Sequence, residues 1–389
     1  MKRIAWIVGL AILLAGCAPA YDKQEEELMK ETQENNQKEK AIVPKYSISD
    51  EYYRPLVNKK DKYEPSKARG IIVRQVDNRL DIEEMEMGLR RHSKEVYDPE
   101  EYFFQDGQYL SDDILNDWLD RKVNEEGSDG TPNGLNPSLP LGASEQQYRE
   151  NPVYLSHILE QNFFKKTDED NVELSGISIS LAMKSEYEFQ VEKWGASYYE
   201  EISRDEMLTQ GKKMAQTVLE RLRGMNKLED IPIMITIYQQ EAKSSVVPGN
   251  FLAKTTVEGK NGEISEWETI DEKYVLFPSD EAEENYKKES EDMLDFQNDV
   301  ANYFPNYIGV VGKGFYKDDE LVNMEVTIPI EFKGKAEIVS LTQYVYSLIM
   351  ENFPNYFGIE VKVESHEGQE SLIVRKPGED KPYVHIYDK

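Results

Sequence analysis

The sequence is poor in the residues that usually make a catalytic or metal site recognisable. It has a single cysteine, Cys17, which excludes an intrachain disulfide and a cluster of cysteine ligands. Its 4 histidines, His92, His157, His366 and His385, lie far apart and form no i, i+4 pair and no His-Glu-x-x-His pattern. A Gly-x-Ser-x-Gly elbow and a complete phosphate loop are also missing. We therefore expect no catalytic residue, no metal site, no cofactor and no enzymatic activity.

Basic residues are outnumbered by acidic ones. The chain has 46 Lys and Arg against 75 Asp and Glu, a formal net charge of −29. Nucleic-acid binding depends on clustered cations that neutralise phosphates, so we expect no nucleic-acid partner. The same charge repels anionic lipid headgroups, so the folded part should stand off from a membrane surface, although solubility alone would also favour such a charge.

Long apolar runs are missing except at the N-terminus. Lys2 and Arg3 precede an apolar segment from Ile4 to about Leu14, and small residues follow, which is the layout of a secretory signal peptide. A membrane-spanning helix needs ~20 apolar residues. Charge returns at Asp22, so we predict a signal peptide over residues 1–17 and not a spanning helix.

The end of this segment, Leu14-Ala15-Gly16-Cys17, resembles the bacterial lipobox. The resemblance implies that lipoprotein-processing enzymes attach a diacylglyceryl group to Cys17. It also implies that the signal peptidase recognises Leu14, Ala15 and Gly16 and cleaves before the cysteine. Two or more acyl chains anchor a protein stably, whereas one binds only marginally. We predict a lipid anchor on the outer face of the cytoplasmic membrane; the alternative is an uncleaved signal anchor with an incidental cysteine.

Composition divides the rest of the chain into a tether and two folded parts. Residues 18–48 are rich in Glu, Gln, Lys and Asn and have few apolar positions, which predicts a flexible polar tether. Residues 66–262 and 270–389 contain the alternating and helical apolar patterns of strands and helices. We predict an α+β fold of two tandem related domains, each a mainly antiparallel sheet with helices packed on one face.

The two folded parts show a similar order of elements, strand–strand–helix–strand–strand, with an extra leading helix in the second. The central helices are predicted at residues 204–223 and 335–352. Residues 322–332 alternate perfectly, from Val322 to Phe332, as a half-buried strand should. By contrast, the β-branched run of residues 70–76 (GIIVRQV) predicts a buried strand.

The long loop from Asn124 to Gly142 is dense in Gly, Pro and Asn. Loops longer than ~12–15 residues are uncommon in compact domains and tend to be functional or disordered. It is the reason for considering a second class of function, an envelope hydrolase with a pair of carboxylates near this loop. The first class is a binding or scaffold module displayed at the cell surface, with a component of the cell envelope or a peptide as its partner.

Aromatic side chains offer the clearest binding potential, with 24 Tyr and 13 Phe in the chain. Tyr198 and Tyr199 are adjacent, and Tyr307 and Tyr356 occupy a repeated hexapeptide, FPNYIG and FPNYFG, whose copies start 353 − 304 = 49 residues apart. We take these four as candidate ligand-facing residues. The plainer interpretation is that they are core and sheet-pair aromatics, and that the hexapeptide is a duplicated joint between a helix and a strand. The oligomeric state is left open.

Three further segments carry a resemblance to a known family: GQYL at residues 107–110, WL at 118–119 and GLNP at 134–137. With the lipobox, tether and tandem sheets they resemble the CamS family over essentially the whole length. These are Gram-positive lipoproteins named as sex pheromone precursors. The resemblance implies that a short hydrophobic peptide is released from the discarded signal peptide, here the stretch from Leu10 to Gly16 (LAILLAG). For the lipidated part it implies two tandem repeats and no established reaction.

Overall fold

The computed structural model describes residues 27–28, 38–39, 42–43, 49, 52–57, 62–76, 78–123, 128–168, 171–303, 309–331 and 334–388. The predicted signal peptide with Cys17, most of the predicted tether, and Tyr307 lie outside these residues. No helix within the described ranges is long and apolar enough to cross a bilayer.

The chain forms strands and helices of very different lengths. In chain order they are β1 (Glu27–Leu28), β2 (Lys38–Glu39), β3 (Ile42–Val43), β4 (Arg54–Pro55), α1 (Arg69–Gln75), α2 (Arg79–Ser93), β5 (Tyr102–Asp106), α3 (Asp112–Leu119), α4 (Glu145–Glu150), β6 (Leu155–Asp168), β7 (Asn171–Lys184), β8 (Glu186–Phe189), β9 (Tyr198–Glu201), α5 (Arg204–Arg223), β10 (Ile233–Gln240), β11 (Asn250–Val257), β12 (Glu268–Thr269), β13 (Glu272–Phe277), α6 (Asp280–Asn285), α7 (Lys287–Tyr303), β14 (Val311–Lys317), β15 (Glu320–Pro329), α8 (Lys335–Asn352), β16 (Gly358–Ser365), β17 (Gly368–Arg375) and β18 (Tyr383–Ile386).

The first sheet is mixed and has eight strands. Seven run in the order β12-β11-β10-β7-β6-β5-β4, and β2 pairs with β7 beside this path. The pairs β7–β10 and β4–β5 are parallel, and the other neighbours are antiparallel. The crossover between parallel strands β7 and β10 contains the long helix α5, as a parallel connection requires.

Helices cover both faces of the first sheet, which corrects the expectation of one covered face. On β10, Ile233, Ile235 and Ile237 pack in the core that also contains side chains of α3 and α5. Met234 and Tyr238 point the other way, into a core shared with α2. The physical reason is that the first six residues of the strand, Ile233 to Tyr238, are apolar apart from Thr236, so both of its faces must be removed from water.

The second sheet is separate, has six strands, and follows the order β13-β14-β15-β16-β17-β18. Only β15 and β16 are parallel. Its core contains side chains of α6, α7 and α8 on one face, in agreement with the prediction. On β15, Met324, Val326 and Ile328 are buried, whereas Glu325 and Thr327 between them are not.

The predicted alternation of β15 fails at its start. Val322 was expected to face the core, but it is exposed and Leu321 is buried in its place. The pairing with β14 shifts register between Phe315 and Tyr316, so the strand changes face by one residue there. Phe332, at the other end of the pattern, lies outside the described residues.

The two central helices begin and end as predicted, at Arg204–Arg223 and Lys335–Asn352. In the segment 70–76, predicted as a buried strand, residues 70–75 instead belong to helix α1, and Val76 is the extended residue that follows it. Its Ile71 and Ile72 enter different cores. The strand preference of β-branched residues is weak, and burying two neighbouring side chains in two cores outweighs it.

A charged cluster joins helix α2 to strand β13 of the second sheet. Arg91 donates to Glu84 at 2.8 Å and to Glu272 at 2.9 Å, and His92 Nε2 lies 3.3 Å from Glu272. The Tyr274 hydroxyl donates to Glu84. Burial acts to raise the pKa of Glu272, but the hydrogen bond from His92 and the charge of Arg91 outweigh it and lower the pKa to about 2.

Candidate functional site

A polar cavity of about 230 Å³ lies between α1, α2, the turn after β5, and β6; we call it the β6 cavity. Four separated parts of the chain line it, and the antiparallel β5–β6 pair brings two of them together from about fifty positions apart. Its polar lining side chains include Arg69, Glu86, Arg90, Asp106, His157, Glu160 and Gln161.

Glu160 fixes the wall formed by the turn after β5. Its carboxylate accepts backbone hydrogen bonds from Gln108, Tyr109 and Leu110 at 2.7–3.1 Å. A side chain at Gly107 would not fit, since its Cβ would lie 2.7 Å from Glu160 Cβ. Burial raises the pKa of Glu160 and these hydrogen bonds oppose the rise. The backbone N–H groups of the GQYL segment therefore bind a buried carboxyl group.

Two buried polar atoms of opposite type are left without partners at this cavity. Gln161 is 2% exposed, and its Nε2 donates to the carbonyl oxygen of Glu86 at 2.8 Å. Its Oε1 has no donor, and Nε of Arg90 has no acceptor, among the described residues. Both residues line the cavity. Both atoms have almost no accessible surface, so a molecule in the cavity would contact neither of them without a movement of the lining.

His157 adds a further acceptor. Its Nδ1 donates to Gln75 Oε1 at 2.9 Å, which leaves the lone pair on Nε2. Burial lowers the pKa of His157 to about 3, so the ring is neutral at physiological pH.

Charges of both signs surround these groups. Burial and the nearby Asp106 raise the pKa of Glu86, while Arg90 and Arg69 act against that rise. The cavity therefore offers carboxylates and neutral acceptors together with guanidinium donors. Such a lining can bind a small molecule that carries both a donor and an acceptor group. Within the described ranges, no group of three or more His, Cys, Asp or Glu residues could hold a metal ion.

The aromatic candidates occupy different environments. Tyr198, on β9, is half-buried and stacks 5.5 Å from Phe189, which stacks in turn on Tyr148 at 5.1 Å. It therefore helps attach the β8–β9 hairpin to α4. Tyr199 points away from this stack and is 51% exposed, and Tyr356, just before β16, is 55% exposed. Tyr307 is the candidate outside the described residues.

The described part of the Asn124–Gly142 loop is packed against the first sheet. Asn136 is fully buried; its Nδ2 donates to the carbonyls of Leu119 and Leu155, and its Oδ1 accepts from Leu155 N. Gly134 lies against the carbonyl of Arg121. The GLNP segment thus ties the end of α3 to the start of β6. A cavity of about 640 Å³ lies between this loop and α5, and the carboxylate among its described lining residues is that of Glu150.

Sequence reasoning missed the β6 cavity because its residues carry no local motif. One signal was present: Glu160, Gln161 and Asn162 are three consecutive polar residues between two apolar pairs of the strand, residues 158–159 and 163–164. All three are buried. Adjacent residues of a strand point to opposite faces, so one exposed face could not have accommodated them all.

Comparisons with known proteins agree on one family. The family model described as CamS, the cAM373 sex pheromone precursor, matches residues 63–381. A crystal structure of a sex pheromone precursor from Lactobacillus salivarius is 30% identical, with a TM-score of 0.81, and the match covers 90% of this chain and 99% of that one. The C-terminal domain of the staph-cAM373 precursor from Staphylococcus aureus is 31% identical, with a TM-score of 0.70, covering 81% and 99%. No curated protein matches the chain.

Proposed function

The chain belongs to the CamS family of sex pheromone precursors, and we propose that it is a lipoprotein anchored through Cys17 to the outer face of the cytoplasmic membrane. The observation that carries this proposal is the Leu14-Ala15-Gly16-Cys17 sequence at the end of an apolar segment. Two or more acyl chains on one cysteine provide stable attachment, whereas a single chain does not.

Metabolic labelling with palmitate tests the anchor. The intact chain should incorporate label and fractionate with membranes, and Cys17→Ser should do neither. Ala20→Ser, three residues further on and outside the lipobox, is the matched control and should label normally. Label that persists in the Cys17→Ser chain would refute the assignment of this residue.

The same precursor supplies the peptide from Leu10 to Gly16. This second part of the proposal is supported by the family description as a pheromone precursor and by the apolar, uncharged character of LAILLAG. A peptide of this kind can partition through membranes and enter an apolar receptor pocket. Synthetic LAILLAG should induce aggregation or plasmid transfer in responsive cells at nanomolar dose, and a scrambled peptide of the same composition should not.

The mature part is proposed to be a binding module without enzymatic activity, held near the membrane by its anchor. The lining of the β6 cavity, which includes carboxylate and guanidinium side chains, supports binding. The ordered packing of Asn136 supports a structural role for its loop over a hydrolytic one. Cross-linking in intact cells should recover one reproducible envelope component or peptide. Turnover of an envelope glycan by the purified protein would contradict the binding assignment.

We also propose that the two sheets derive from one repeated unit. The segment β6–β7–α5–β10–β11–β12 and the segment β14–β15–α8–β16–β17–β18 share the order of their strands along the sheet. In each segment, a crossover that contains a helix connects two parallel strands, and antiparallel pairs lie on both sides of these two strands. The test is a superposition of the two segments in that alignment, which should match strand for strand with its helices on the same side.

A further inference from the structure

We propose that the cavity between the Asn124–Gly142 loop and α5, which we call the loop cavity, binds the phosphate group of a small polyol phosphate. The inference rests on the binding role proposed above for the mature part and gives that role a ligand class. The observation that carries it is a local reversal of charge. Three cationic side chains, Lys122, Lys213 and Arg221, line the cavity with one carboxylate, Glu150, although acidic residues outnumber basic ones by 75 to 46 in the chain.

The three cations are not engaged by carboxylates of the protein. Among the described residues, none of Lys122, Lys213 and Arg221 forms an ion pair with an Asp or Glu side chain. The carboxylate of Glu150 instead accepts a hydrogen bond from Gln146 Nε2 at 2.9 Å. An anion in the cavity would give all three cations a partner.

Arg221 is the cation most withdrawn from water. Its side chain is half-buried, and its Cζ lies 4.9 Å from the centroid of the Trp118 ring. Its Nη1 is enclosed and has no acceptor, whereas Nε and Nη2 are not enclosed and have no acceptor among the described residues either. Burial lowers the pKa of Arg221, although the charge of Asp117 acts against this shift. A charge that is partly removed from water and has no partner favours an anion at its accessible nitrogens.

The fold fixes the positions of the three cations. Lys213, Thr217 and Arg221 are four residues apart on α5, so their side chains project from the same face of the helix. Lys122 belongs to the other wall, where its backbone N–H donates to the carbonyl of Asn136 at 2.8 Å. The packed loop thus places a lysine opposite the cationic face of the helix, and donors reach the cavity from two sides.

The chemistry of a phosphate monoester fits this lining. Such a group carries about −1.5 to −2 charges at neutral pH and has three acceptor oxygens, so several cations can bind it at once. A guanidinium can bind two of these oxygens through parallel N–H donors. Polar side chains that can bind the hydroxyl groups of a polyol also line the cavity, namely Gln210, Thr217, Asn151 and Ser138. The volume of about 640 Å³ lies in the range of small-molecule sites.

The experiment is a calorimetric titration of the purified lipoprotein, in a non-ionic detergent, with glycerol 3-phosphate and with glucose 6-phosphate. At least one should bind saturably, and its affinity should fall as sodium chloride screens the charges. Glycerol and glucose should give no saturable heat, and binding of either with undiminished affinity would overturn the proposal. Equal binding of glycerate, which carries a carboxylate and no phosphate, would also overturn it. Inorganic phosphate that binds as tightly would overturn the assignment of a polyol ester.

Variants assign the binding to the loop cavity. Arg221→Met removes the guanidinium and should weaken binding at least tenfold, roughly the effect of a hydrogen bond between charged groups. Lys213→Met removes an exposed charge and should weaken binding about threefold. Lys212→Met is the matched control, because it changes the neighbouring exposed lysine of α5, which does not line the cavity, and should bind like the unaltered protein. Circular dichroism checks that each variant is folded.

If Lys212→Met weakened binding as much as Lys213→Met, the attraction would belong to the whole helix surface and the site would be refuted. Unchanged binding by both Arg221→Met and Lys213→Met would refute it as well. If neither phosphate ester bound saturably, the ligand class would be refuted. None of these results affects the palmitate labelling or the cellular cross-linking. A failure of this inference is therefore distinguishable from a failure of the anchored binding role.

Discussion

The first and second sheets share a pattern of strand pairing but differ in what covers them. The first has helices on both faces, and its central strand β10 is buried at nearly every position. The second has its own helices on one face, and its strand β15 alternates between buried and accessible residues. The spacing of apolar residues along the strands, and not the order in which the strands are connected, thus decides whether helices cover one or both faces of the sheet.

The polar side chains of the two sheets differ accordingly. The face of the second sheet that points away from its own helices carries a half-exposed row in which Lys313 and Lys362 both contact Glu325. In the first sheet, Glu160 is buried and its partners are backbone N–H groups. A lost partner is replaced by water in the first case, but not in the second.

The largest effect is therefore expected at Glu160. Glu160→Ala removes the acceptor of three backbone N–H groups in a buried turn. We expect the free energy of unfolding to fall by roughly 4 kcal/mol, since each buried donor left unsatisfied costs about 1–3 kcal/mol. Urea unfolding followed by far-ultraviolet circular dichroism measures it in either sheet, and tryptophan fluorescence adds a signal from the first part of the chain, since all 4 tryptophans precede the second sheet.

The matched control is Glu360→Ala, on the accessible face of the second sheet. Glu360 contacts Lys362, and both side chains retain solvent access, so its loss should cost less than about 1 kcal/mol. If both variants lost the same free energy of unfolding, burial of the carboxylate would not explain a difference between the two sheets.

The next effect concerns the charged cluster between α2 and β13. Arg91→Ala leaves the carboxylates of Glu84 and Glu272 without their guanidinium partner. We expect a loss of about 3 kcal/mol, as for other broken pairs with buried members, and a separate unfolding transition for the second sheet. Arg79→Ala, an exposed arginine on the same helix, should have little effect.

The same variant has a pH signature. The folded pKa of Glu272, about 2, is below the unfolded value of ~4.3. Its contribution to stability is therefore present above the unfolded pKa and is lost as the pH falls through the folded pKa. In Arg91→Ala the pKa of Glu272 should move upward, so stability should depend less on pH over this acidic range. An unchanged acid profile would exclude Arg91 as a cause of the low pKa.

A pair of glycine substitutions compares the packing of the two sheets directly. At Gly176 in β7, a Cβ would lie 2.1 Å from the ring of Tyr97, which is fully buried and stacked 4.5 Å from Phe163. At Gly312 in β14, the nearest atom is the flexible end of Met293, 3.1 Å away. Gly176→Ala should therefore cost about 1–3 kcal/mol and Gly312→Ala close to nothing, in the same urea titration. The opposite ranking would contradict this account of the packing.

The fold was predictable where helical periodicity was long and its ends were marked. Helix α5 begins after Ser203, whose hydroxyl accepts from Glu206 N, and ends at Gly224. Short segments could not be predicted in this way. Helix α1, for example, has only 7 residues, and its conformation depends on packing in two separate cores. The β6 cavity depends on long-range pairing: Glu160 and its partner Leu110 are 50 residues apart, a separation that a local pattern does not encode.

The smallest effect is expected on the accessible face of the second sheet. Burial acts to raise the pKa of Glu325, but the hydrogen bond from Lys362 and the charges of Lys313 and Lys362 outweigh it and hold the pKa below its usual range. The resulting stabilisation is present above the unfolded pKa and is lost as the pH falls through the folded one. Glu325→Gln should lower stability by about 0.5 kcal/mol at neutral pH, less in high salt. A double-mutant cycle with Lys362→Met measures the interaction free energy between Glu325 and Lys362. If this energy were as large as the loss in Glu160→Ala, the accessible face would be as shielded from water as the β6 cavity.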